Sequence, residues 1–68
     1  MAKNALELLS MMVSEYDKNK RSDFDSMFYL GTPEYVLDQL ENLGYISKQE
    51  DIIGTIKLTR SGYEAIKK

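Results

Sequence analysis

Leu30-Gly31-Thr32-Pro33-Glu34-Tyr35-Val36-Leu37-Asp38-Gln39-Leu40-Glu41-Asn42-Leu43-Gly44-Tyr45-Ile46 is the stretch on which the reading of this chain turns. Gly31 can supply the positive φ of a helix end, and Thr32 can cap the helix that follows. Pro33 suits a first helical position, and Glu34 is favoured near the positive end of the helix dipole. The spacing of Val36, Leu37, Leu40 and Leu43 predicts a helix from about Pro33 to Leu43 with those four side chains buried, ended by Gly44 in a left-handed conformation. A strand is expected from Tyr45 to Gln49.

Upstream, Ala5, Leu9, Met12 and Tyr16 fall on one line at helical spacing, flanked by Leu8 and Val13, while Lys3, Glu7, Ser10, Ser14 and Asp17 collect opposite. This predicts an amphipathic first helix, with Met11 projecting off its core line. Lys18-Asn19-Lys20-Arg21 is a polar connection. Ser22 and Asp25 resemble a capping box, which predicts a short second helix that carries Phe24, Met27 and Phe28 inward and stops near Leu30-Gly31. Downstream, the alternation of Thr55 to Thr59 predicts a half-buried strand with Ile56 and Leu58 on one side, joined to the preceding strand by a hairpin through Glu50 to Gly54. Thr59 can cap a last helix, Arg60 to Lys67, with Tyr63 and Ile66 inward and Lys67 and Lys68 at its negative end.

The composition sets bounds on function. The chain has 68 residues, 43% of them hydrophobic and 29% charged, the balance of one globular domain. A domain this size buries only about 60% of the surface its unfolded chain exposes, and this chain has no cysteine to staple it, so a second copy or another partner is an expected source of further burial. No run approaches the ~20 apolar residues of a membrane-spanning helix. The opening Met1-Ala2-Lys3-Asn4 leads into the amphipathic segment that carries Glu7, and a cytoplasmic protein without membrane attachment is expected. Histidine, cysteine and tryptophan are all absent, which removes the commonest general base, the thiol nucleophile and the usual zinc ligands. No enzyme, cofactor or metal site is therefore expected. The net charge is −2, nine basic against eleven acidic residues, so nucleic-acid binding would need a local basic patch.

Helix, short helix, Gly-Thr turn, helix, hairpin and helix is the order of an α+β winged helix-turn-helix domain. Leu30-Gly31-Thr32, then Val36, Leu40 and Leu43-Gly44-Tyr45-Ile46, resembles that family's turn glycine, recognition helix and Gly-aromatic-Ile entry to the wing. Leu58-Thr59 with Gly62 resembles the Leu-Thr-x-x-Gly step by which small prokaryotic and phage regulators of this family leave the wing. The resemblance covers Ala5 to Lys67. It implies three helices, a two-stranded wing and a C-terminal helix in a single domain, residues 1–68. It also implies that the third helix enters the major groove of double-stranded DNA, that the wing touches a minor groove or phosphates, and that a homodimer binds palindromic half-sites in transcription regulation.

The exposed residues pull in two directions. Tyr35, Gln39 and Asn42 form one edge of the third helix and suit DNA, because Gln and Asn can make paired contacts to adenine and Tyr can bond a phosphate. Lys18, Lys20, Arg21, Lys48, Lys57 and Arg60 are the candidate backbone contacts, although a basic run such as Lys18 to Arg21 also suits a plain solvated loop. Glu34, Asp38 and Glu41 form the other edge and would repel phosphate. The wing tip, Glu50-Asp51-Ile52-Ile53-Gly54, is acidic too. Two adjacent isoleucines cannot both face inward on a strand, so one of them is expected to be exposed unless Ile53 folds back onto the domain. The alternative is therefore a protein-interaction module that dimerises, or antagonises another regulator, through Glu34, Asp38, Glu41, Met11, Ile52 and Ile53 without touching DNA.

Overall fold

Asn4 begins the first helix by accepting a hydrogen bond from the Glu7 N–H at 2.8 Å on its side-chain oxygen, an N-cap that satisfies one of the four unpaired donors of a helix start. The computed structural model describes residues 4–49, 51 and 54–67. Helix α1, Ala5–Asn19, buries Leu8, Leu9, Met12 and Val13. Met11 does not project away as its position on the helical wheel predicts. It is half-buried against the core, in a shallow surface shared with Phe28, because the segment after α1 folds back over that side of the helix. The helix ends at Lys20, whose φ of 58° is left-handed and whose N–H donates to the Tyr16 carbonyl at 2.7 Å.

The expected second helix is replaced by a strand and turns. Strand β1, Asp23–Phe24, pairs antiparallel with β3, Ile56–Leu58, in the register Asp23 with Lys57 and Phe24 with Ile56. Ser22 caps nothing: its carbonyl accepts from the Leu58 N–H at 2.8 Å and extends the same pairing. The Asp25 carboxylate accepts instead from the Phe28 N–H at 3.3 Å inside a turn. Pairing with β3 fully buries the Phe24 ring, and a single capping box cannot match a buried aromatic side chain and a sheet ladder. Phe28 is half-buried against Phe24, their ring centroids 4.5 Å apart. Met27, expected inside, is 72% exposed, since in a turn it no longer shares a face with Phe24.

Gly31 has the positive φ expected of it, 88°, but it closes turns and not a helix. Thr32 does not cap α2, Glu34–Asn42; Pro33 takes the N-cap position with extended ψ, and the helix starts one residue later than the proline signal suggests. The Thr32 hydroxyl oxygen is buried without a hydrogen-bond partner among the described residues. Val36, Leu37 and Leu40 are buried as expected, whereas Leu43, at the C-cap on the margin of the apolar arc, is 55% exposed. Gly44 turns the chain at φ 79°. Its N–H donates to the Glu41 carbonyl at 2.9 Å and the Tyr45 N–H donates to Leu40 at 3.0 Å, the two bonds of a Schellman motif.

The turn delivers β2, Ile46–Lys48, which pairs antiparallel with β3 so that Ile46 faces Leu58 and Lys48 faces Ile56. The expected two-stranded hairpin thus has a third strand, in the order β1-β3-β2. A further bond from the Gln49 N–H to the Thr55 carbonyl, 2.9 Å, carries the pairing toward the hairpin tip. Glu50, Ile52 and Ile53 lie outside the described residues, so the tip is described only at Asp51 and Gly54.

Thr59 caps α3, Arg60–Lys67, as its position predicts, accepting from the Gly62 N–H at 3.1 Å. Its hydroxyl donates to the Gly44 carbonyl at 2.6 Å, tying the end of α2 to the start of α3. Tyr63 and Ile66 lean on the core, and Tyr63 meets Tyr16 of α1 edge to face. Leu8, Met12, Phe24, Val36, Leu40 and Ile56 are the fully buried centre, contributed by two helices and one face of the sheet. The chain is a small α+β fold of three helices and a three-stranded antiparallel sheet. Among the described residues no helix is long and apolar enough to cross a membrane.

Candidate nucleic-acid interface

Glu34, Asp38 and Glu41 recur at steps of four and three residues and so share one edge of α2. The tight turn at Gly44 brings β2 back beside that edge, and the alternation of a strand puts Lys48 on the same side as buried Ile46. The Lys48 ammonium consequently reaches all three carboxylates: 2.7 Å to Asp38, 3.2 Å to Glu34 and 3.8 Å to Glu41. The hydrogen bonds it donates to Asp38, then to Glu34, hold that ammonium well above the ordinary lysine range. Two carboxylates remain in excess of the lysine on this edge.

The other edge is uncharged. Tyr35 is 70% exposed, and Gln39 and Asn42 are exposed beside it, so phenol and amides project from α2 away from its buried face. Tyr29 was not singled out by its position in the sequence, yet it fixes how the hairpin sits. Its hydroxyl donates to the Gly54 carbonyl at the hairpin tip, across a depression of about 420 Å³ that Glu34, Leu37 and Lys48 also line. Burial, then the nearby Glu34 charge, raise the Tyr29 phenol above its ordinary value, which keeps it a donor. Nothing local signals this role.

The remaining basic candidates occupy distinct surroundings. Arg21 donates through Nε to the Asp23 carbonyl at 3.0 Å and lies over the rings of Phe24 and Phe28. Lys57 is 4.0 Å from Asp23, its pairing neighbour across the sheet, and Lys18 is exposed in the last turn of α1. Lys20 and Arg60, well separated in sequence, come together on one groove of about 620 Å³ between α1 and α3. At the foot of the same helix pair, the Lys67 ammonium, 2.6 Å away, and then the Tyr63 hydroxyl, 2.8 Å away, hold the Asp17 carboxyl below the usual aspartate range.

Of the surface suggested for protein contact, the three carboxylates stay together, Met11 is half-buried, and Ile52 and Ile53 lie outside the described residues. Among the described residues no three carboxylates converge as a metal site. Comparisons with protein-family models, with curated proteins and with solved structures found no match.

Proposed function

We propose that this chain is a winged-helix, DNA-binding transcription regulator that reads duplex DNA with α2. The succession of α2, Schellman turn, hairpin and capped terminal helix supports this reading, because it keeps every element on which the family resemblance rests except the middle helix, whose place turns fill. The observation that carries it is the division of α2: Lys48 engages the acidic edge, while Tyr35, Gln39 and Asn42 stand exposed on the other. The amides supply the base-edge contacts, and Arg21, Lys18 and Lys57, with Lys20 and Arg60 farther round, supply phosphate contacts. Such a regulator works in the cytoplasm, needs no cofactor and performs no catalysis.

Selection from a random-sequence duplex pool at low salt tests the reading. Enrichment of a preferred site is expected, with Gln39→Ala or Asn42→Ala losing about 1 to 3 kcal/mol on it and relaxing its sequence preference. Arg21→Ala should weaken all duplexes alike and flatten the salt dependence by about one unit. A pool that yields no binding at low salt overturns DNA recognition.

A homodimer belongs to the same proposal, since palindromic sites need two copies. With Met11 half-buried, Leu6 on α1, 67% exposed, is the apolar side chain there for a second copy to cover. Sedimentation showing monomer alone at concentrations that saturate DNA counts against it.

One observation favours the interaction module instead. Met27, Leu30 and Tyr35 are each about two-thirds exposed or more around the approach to α2, next to an edge still rich in carboxylates. Exposed apolar groups rimmed by charge are a common form of protein-binding surface. Charge reversal at Asp38 that abolishes binding to a partner regulator, with no duplex affinity at any salt, would select this reading.

A further inference from the structure

We propose that the groove between the C-terminal end of α1 and the start of α3 takes a small phosphorylated ligand with a flat ring, of the mononucleotide class. No residue of α2 or β2 lines it, so the proposal goes beyond DNA reading by α2. At about 620 Å³ it has the dimensions of a small-molecule site.

Its walls divide by chemistry. Tyr16, Tyr63 and Leu58 make the apolar part, and the two tyrosine rings meet at 69° with centroids 5.2 Å apart, which offers a flat ligand both a ring face and a ring edge. Lys20 and Arg60 bring the charge. The Lys20 ammonium lies 5.4 Å from the Tyr16 centroid, directly beside the apolar part. Arg60 has a side chain 90% exposed and pairs with Glu64 through Nε at 3.0 Å, which engages one of its five donors. Ser22 adds a hydroxyl on the same wall. The Thr59 hydroxyl is spent on Gly44 and Gly62 and serves as structure.

Two observations point to a ligand and not merely to a solvated surface. The Asp17 carboxylate feels the Lys20 charge but makes its direct contacts with Lys67 and the Tyr63 hydroxyl, and among the described residues no carboxylate forms an ion pair with Lys20, so its ammonium keeps donors for an outside anion. Lys20 also occupies a left-handed backbone position, φ 58°, where glycine is the favoured residue, so a lysine stands on the groove at a site that local structure alone would give to glycine. A phosphate between Lys20 and Arg60, with its ring laid against Tyr16 and Leu58, uses each of these groups at once.

The same phosphate chemistry could come from a free nucleotide or from a DNA backbone, and titrations of the full chain followed by NMR separate them. Adenosine monophosphate is expected to shift the Tyr16 and Tyr63 ring signals and the Ser22 and Arg60 amides in a saturable manner, with inorganic phosphate binding more weakly. Lys20→Gln with Arg60→Gln should lose about tenfold or more in affinity for adenosine monophosphate, as expected for two lost charge-assisted bonds, while its urea midpoint stays near that of the wild type. Gln39→Ala should bind adenosine monophosphate unchanged. Shifts that are absent, or that persist in the double variant, overturn the proposal. So does a double variant that loses only duplex affinity, which would assign Lys20 and Arg60 to the DNA backbone. Failure of the duplex pool selection leaves the nucleotide titration standing, so the two readings fail separately.

Discussion

Gly62 lies flat against the backbone of Tyr45: a Cβ built at Gly62 would fall far inside van der Waals contact with the Tyr45 carbonyl oxygen and 3.0 Å from Leu58 Cδ1. That oxygen also accepts from the Thr59 N–H at 3.1 Å, so it cannot move aside without breaking the cap region of α3. Gly62→Ala is therefore expected to destabilise the fold by about 2 kcal/mol or more, despite the better helix propensity of alanine. In a domain this small such a loss lowers the melting temperature by roughly 8 °C or more, which thermal unfolding beside the exposed Ser61→Ala control would measure. Equal stability of the two variants would contradict the close approach.

Gly44 and Lys20 test backbone conformation without packing. A Cβ at Gly44 meets nothing within 4 Å, so Gly44→Ala costs only the left-handed conformation itself, about 1 kcal/mol. Lys20 is the converse case, a side chain where glycine is favoured. Lys20→Gly should stabilise by roughly 0.5 kcal/mol, the conformational relief being offset in part by the lost contact with the Tyr16 ring. Urea unfolding of both variants should show opposite signs.

Those two residues also show what the sequence could tell. Gly44 and Thr59 carry their meaning within one turn of chain, so the end of α2 and the start of α3 were legible. Lys20 carries no such mark. The second helix failed because the partners of Ser22 and Phe24 are Leu58 and Ile56, far along the chain, and no local pattern announces a two-residue strand. The acidic edge of α2 was legible as an edge, but its counter-ion was missed although a signal existed: strand alternation places Lys48 on the side of Ile46, the side that faces α2. Lys20 and Arg60 meet only through the docking of α3 on α1, which is tertiary information.

The Asp17 carboxyl gives the fold an acid limit. Lys67, then Tyr63, lower it in the folded state below the 3.8 of an ordinary aspartate. The stability it contributes is thus fully present above that value and is lost as pH falls through the lower, folded value. Wild type is expected to exceed Asp17→Asn in urea midpoint near neutral pH, with the difference closing as pH drops below 3.8. A difference that stays constant through that range would show that the contact with Lys67 and Tyr63 does not depend on the charge.

If α2 reads DNA, Lys48 and Asp38 should control affinity with opposite signs. The folded fold holds the Lys48 ammonium above its ordinary value of 10.5, so its share of stability is complete below that pH and is lost only as the solution becomes more alkaline. The pair is therefore charged under any condition suited to DNA binding. Its side chains are about one-third and one-half exposed, so Lys48→Met should cost no more than about 1 kcal/mol of stability, less at high salt. Its effect on DNA is larger in kind, because it leaves Glu34, Asp38 and Glu41 without a counter-charge on the helix that approaches phosphate. Duplex affinity should fall several-fold at low salt, whereas Asp38→Asn should raise it about two- to threefold, the effect of one charge at roughly 8 Å through water. Because the two residues touch, the double variant should depart from the sum of the single effects. Electrophoretic titration across a salt series checks the signs. Asp38→Asn binding DNA no better than the wild type would mean that the acidic edge does not face the duplex, and would place the working surface of α2 elsewhere.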